Sequence, residues 1–171
     1  MSGLVLAGAN LPRPTDQFGA YRGECGILTS EAIAGLRLRS LELVVLSACD
    51  TGTGPAVVGE GVFSLQRAFH IAGARNVIAT LWKIDDQATA ALMRLFYYKL
   101  WTEGKPLIVA LRESQLAVYR HPERLADLAT ARGPEFTRVI QGLSSSERPK
   151  SQKTAPTKAW AAFILSGVGR L

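Results

Sequence analysis

The sequence predicts an α/β fold around a mainly parallel sheet. Three observations carry that expectation. Two continuous apolar runs, Leu43–Cys49 and Asn76–Trp82, are rich in β-branched residues, as strands buried on both faces are. A helix-period stripe of Val62, Leu65, Phe69 and Ala72 lies between them. Strand and helix patterns then alternate along most of the chain, which favours a sheet covered by helices.

Leu4–Gly8 is a short apolar run and reads as a strand or strand end. A loop with Pro12, Pro14, Asp16 and Gly19 follows. Thr29 to Gly35 opens on capping residues and closes on glycine, the pattern of a short helix. After the Leu43–Cys49 strand, Asp50–Gly59 is a loop by composition. Helix periodicity begins at Glu60, and Gly73 is a natural stop. Beyond the second strand, Asp85 and Asp86 start a long helix to about Thr102, with acidic residues at its positive end. Gly104 ends it. Pro106 suits the first turn of a further helix to Arg120. Residues 123–132 form one more short helix. Residues 133–158 are polar and carry prolines, so they read as a surface excursion, and Trp160–Ser166 is the last strand.

A chain of 171 residues is one domain, 1–171, with enough core to fold without staples. The net charge is +6, but the basic residues are scattered along the sequence. A nucleic-acid surface needs them clustered on one face, so nucleic acid is not the expected partner. No run approaches 18 apolar residues, so no membrane span is expected. The first residues lack a basic start and are not a secretion signal. Two cysteines, Cys25 and Cys49, do not make a disulfide framework, and a reducing, cytoplasmic setting is the default.

In α/β sheets, functional loops lie beyond the carboxyl ends of strands. The loops after Cys49 and after Trp82 qualify. Cys49 would be held rigidly at a strand end beside a Gly-rich loop. By position alone, it fits either a nucleophilic thiol or a small buried hydrophobe. Cys25 has no comparable setting. The Gly-rich loop lacks the Gly-Lys-Ser/Thr ending of a phosphate-binding loop. Asp85 and Asp86 fit helix capping, or a carboxylate facing a cationic substrate group. His70 and His121 are the chain's two histidines. His70 lies about 15 Å along its helix, running away from the Cys49 edge, and reads as structural. His121 ends a helix that returns toward that edge, as a base or as a helix C-terminal cation. No metal-ligand cluster and no cofactor motif is visible.

Four segments stand out together: Leu43-Val-Val-Leu-Ser-Ala-Cys-Asp-Thr-Gly52, Gly59-Glu-Gly61, Phe69 through Ala72-Gly-Ala-Arg75, and Leu81-Trp-Lys-Ile-Asp-Asp86 with Thr89. They resemble the CHAT domain family, bacterial caspase- and separase-like cysteine peptidase domains often attached to TPR repeats. Leu4–Asn10, Gly26–Thr29 and Trp160–Phe163 are similar to the family too. The resemblance implies a three-layer caspase–haemoglobinase sandwich acting on protein or peptide substrates. Cys49 matches the family nucleophile, and its backbone N–H would contribute to an oxyanion hole. Asp86, with Asp85 beside it, would line a specificity pocket for a basic side chain.

One departure bears on activity. The family's catalytic histidine sits in a His-Gly pair ending an earlier strand, upstream of the segment that Leu4–Asn10 matches. No histidine precedes Cys49 here. The chain is therefore expected to correspond to the C-terminal portion of such a domain, lacking an N-terminal strand or more, and to be inactive alone. No 34-residue period is present, so any TPR repeats would belong to a partner or to another segment. The alternative is a non-enzymatic interaction module on a degenerate peptidase fold.

Overall fold

A strand buried on both faces must place alternate side chains in two separate cores. The strand Asn76–Thr80 does this: Val77 packs with one apolar cluster, and Ile78 with another. The structure, a computed structural model, describes residues 3–7, 9, 17–18, 26–47, 60–145 and 154–170, without the side chains of 60–63, 144 and 145.

Among the described residues there are five strands and seven α-helices. They run β1 (Gly3–Val5), β2 (Ile27–Thr29), α1 (Ser30–Ala34), β3 (Val44–Leu46), α2 (Glu60–Ala72), β4 (Asn76–Thr80), α3 (Asp86–Tyr97), α4 (Leu107–Arg120), α5 (Leu125–Thr130), α6 (Pro134–Ser145), α7 (Thr157–Trp160) and β5 (Phe163–Gly167). The three-stranded sheet has the order β3–β4–β5. β3 and β4 are parallel, with Leu46 opposite Ala79. β4 and β5 are antiparallel, with Thr80 opposite Phe163. β1 and β2 form a separate antiparallel pair.

The expectation of a mainly parallel sheet is corrected here. One of the three described strand pairs is parallel. β5 is brought to β4 from the sheet's carboxyl end by α7, and it enters in the opposite direction. A continuous apolar run reports burial on both faces, not strand direction.

Helices cover both faces. On one side, Leu65, Ala68 and Phe69 of α2 pack with Ile33, Val44 and Val77. On the other, Leu92, Leu95 and Phe96 of α3 pack with Ile78, Leu107, Val118, Leu128 and Phe163. The ends follow local chemistry. The Thr29 hydroxyl accepts from Ala32 N at 3.2 Å and caps α1. α2 closes on Gly73 at φ 110°, with Gly73 N donating to His70 O and Ala74 N to Phe69 O. α3 ends in one widened π turn, Tyr98–Thr102, that reaches the expected residue.

Over 134–145 the structure differs from the expected surface excursion. α6 turns Phe136 and Ile140 into the core, where they are 9 % and 6 % exposed. Two apolar residues four apart are enough for a one-sided stripe, although the segment as a whole is polar. The last strand begins at Phe163, because Trp160 belongs to the short turn of α7.

Candidate functional site

Parallel pairing makes β3 and β4 end at the same edge of the sheet. The chain beyond Leu46 and the chain beyond Thr80 therefore leave side by side. Leu81 N donates to Ala162 O at 2.9 Å, which extends the β4–β5 ladder by one pair. The Trp82 indole N–H donates to Lys158 O at 3.1 Å and ties this exit to α7. Ile84, 4 % exposed, anchors the segment in the core. The next two residues are left at the surface.

Asp85 is the N-cap of α3. Its Oδ2 accepts from Gln87 N at 3.0 Å and from Ala88 N at 3.1 Å. That satisfies two of the amides a helix start leaves without partners. Asp86 follows in the first turn and is exposed. Its carboxylate is solvent-facing. A cation meeting it there would gain less than in a desolvated pocket.

Cys49, like Cys25, lies outside the described residues, as does the Asp50–Gly59 loop. The two histidines lie within them. His70 Nδ1 donates to Ala74 O at 3.0 Å, and Nε2 accepts from the Ser166 hydroxyl at 2.9 Å; a carbonyl only accepts, which sets the tautomer. Ala74 precedes the start of β4 and Ser166 is near the end of β5. His70 therefore sits at the sheet edge opposite the exits of β3 and β4, where it is structural. His121 caps the end of α4, 9 % exposed, with Nδ1 3.5 Å from Glu123 Oε1. Its ring lines a cavity between α3, α4 and α6. None of the residues lining that cavity belongs to the exits of β3 or β4. Among the described residues, no group of three or more His, Cys, Asp or Glu could hold a metal ion, and no helix is long and apolar enough to cross a membrane.

A family profile described as CHAT domain matches residues 1–168. The chain belongs to the CHAT domain family. It is also 33 % identical over 105 residues to the mouse protein "Tetratricopeptide repeat protein 28". That match covers 58 % of this chain and 4 % of the mouse protein. No solved structure matches.

Sequence reasoning missed Asn76 as a buried polar residue. Its Nδ2 donates to Glu42 O and Arg170 O, each at 3.0 Å, and its Oδ1 accepts from Gly169 N at 2.8 Å. An asparagine opening an apolar strand was the available signal. The cavity beside His121 was also missed, since its lining comes from three helices distant in sequence.

Proposed function

We infer that this CHAT domain is the nucleophile-bearing part of a caspase- or separase-like cysteine endopeptidase on a three-layer caspase-like sandwich. Cys49 is the nucleophile, its backbone N–H contributes to the oxyanion hole, and Asp86 favours a basic substrate side chain at the site's rim. Asp85 serves mainly to set the start of α3. One observation carries the reading: β3 and β4 run parallel, so the chain leading to Cys49 and the chain leading to Asp86 leave from one edge. That is where an α/β sheet presents chemistry.

Acylation also needs a base for the thiol and an acid for the leaving amine. His70 is committed to Ala74 and Ser166, and His121 lines a cavity elsewhere. The catalytic imidazole, with its adjoining glycine N–H, therefore comes from outside residues 1–171, and these residues are inactive alone. The same observation favours a second reading, a binding module that retains the peptidase frame. Tetratricopeptide repeats, named in the mouse relative, are the proposed companions in either case. The cytoplasm is the proposed location, since the thiol must stay reduced.

Turnover of a fluorogenic arginine peptide tests this. Residues 1–171 alone should give none above background, since loss of acid–base help costs about 10²–10⁴-fold. Fusing ahead of Met1 a strand ending in His-Gly should restore turnover, and Cys49→Ala should remove it again. Cys49-dependent cleavage by 1–171 alone, lost in His121→Ala, would make His121 the base and overturn the assignment. If no fused form turns over, the binding-module reading stands instead.

A further inference from the structure

His121 serves neither the peptidase reading nor the core, yet it is nine-tenths buried. Its ring lines a cavity of ≈ 270 Å³ with Leu95, Leu116, Ile140 and Leu143 as apolar walls. Arg120 lies on the same lining and is exposed at the mouth. Its guanidinium makes no hydrogen bond or ion pair with a described residue. His121 uses Nδ1 toward Glu123, and Nε2 has no partner among the described residues.

The other charges on the lining are already satisfied. Lys99 Nζ is 2.9 Å from Glu113 Oε2 and 3.8 Å from Glu103 Oε2. Lys105 bonds the same Glu113 oxygen and holds the Glu113 carboxyl below the usual carboxylate range, with Lys99 adding to the effect. Glu113 raises Lys105 in turn. The cavity thus has aliphatic walls, one closed set of ion pairs and, side by side in sequence at the end of α4, the open Arg120 guanidinium and His121 Nε2, which donates only when the imidazole is protonated between Glu123 and a bound carboxylate.

We propose that this cavity between α3, α4 and α6 binds an aliphatic monocarboxylate, with its chain against Leu95, Leu116, Ile140 and Leu143 and its carboxylate on Arg120 and His121. A planar anion suits a guanidinium, which donates two parallel hydrogen bonds. An apolar cavity of about 150 Å³ holds a benzene-sized guest. By that scale this half-open cavity, whose lining is polar as well as apolar, has room for roughly ten heavy atoms, the size of a medium-chain fatty acid. A peptide is too large, and a bare inorganic anion would leave the apolar walls unfilled. The site uses neither Cys49 nor Asp86, so it stands apart from the peptidase reading.

Sodium octanoate, titrated into residues 1–171 and followed by amide chemical shifts, is the probe. Saturable shifts should appear on α3, α4 and α6. Octanamide, which keeps the chain and lacks the charge, should bind roughly tenfold more weakly or worse, as should octanoate to Arg120→Gln and His121→Gln, because each change removes one of the opposite charges that meet in the site. Leu143→Trp, which fills the cavity, should abolish binding, and Cys49→Ala should bind as the unaltered chain does. The amide spectrum of each variant shows whether it is folded, and octanamide tests the charge without any substitution. No saturable shift at millimolar octanoate would overturn the proposal. So would equal affinity for octanamide, or unchanged octanoate affinity in the folded Arg120 and His121 variants.

Discussion

The two ends of the β3–β4–β5 sheet are built on opposite principles. At the amino end of β4, polar groups are buried or part-buried and paired with one another. Asn76 is 0 % exposed and holds Glu42, Gly169 and Arg170 through three hydrogen bonds. His70 bridges α2 and β5 there. Gly167 lies against the backbone of Arg75 and Asn76, and Gly73 against Arg39. At the carboxyl end of β3 and β4, Asp85 and Asp86 are exposed, and only Asp85 is spent on a helix cap. One end closes the fold, and the other leaves carboxylates exposed where the proposed site would meet a substrate. A group that must bind a ligand cannot also be saturated by the protein.

The comparison predicts that stability is concentrated at the closed end. The largest effect should come from Gly167→Ala. A Cβ there would stand 2.2 Å from Arg75 O, on a backbone at φ 126° that L residues rarely adopt. A loss of about 3 kcal/mol is expected in denaturant unfolding. Asn76→Ala comes next, since it leaves the buried Gly169 N and the part-buried Glu42 and Arg170 carbonyls unmet, and should cost about 2–3 kcal/mol by the same measurement. At the open end, Asp85→Ala should cost about 1 kcal/mol through the lost cap. Asp86→Asn should change stability by less than about 0.5 kcal/mol. In an active, longer form, Asp86→Asn should still reduce cleavage of arginine peptides relative to leucine peptides. If Asp86→Asn destabilised the fold as much as Asn76→Ala does, the contrast between the ends would be broken.

Much of this frame is legible in the residues themselves. Long periodic segments declare their partners: Leu65, Phe69 and Ala72 form the buried stripe of α2, and Gly73 ends it. The α4 boundary at Arg120 and the end of the π turn at Thr102 fall where the pattern places them. The open end could also be read, because strand ends followed by glycine or acidic residues mark it. The direction of β5 could not be read, since burial has no sign. Neither could α6, whose core contact rests on Phe136 and Ile140 within a polar stretch. β2 was missed because three residues, Ile27–Thr29, are too few to show a period. The exposure of Asp86 escaped for another reason: charge and position suggest a pocket, but only the neighbouring chain decides how deep it is.

The most direct test of the open end is mass-mapped alkylation of the two cysteines in the folded chain. Cys49 should label faster than Cys25, because the chain beyond β3 leaves from the edge proposed to carry the chemistry. On the proposed reading no imidazole of residues 1–171 serves this thiol, so the ratio should be modest and set mainly by access. Preferential labelling of Cys25, with Cys49 protected until the protein unfolds, would contradict the account and make Cys49 a small residue of the core.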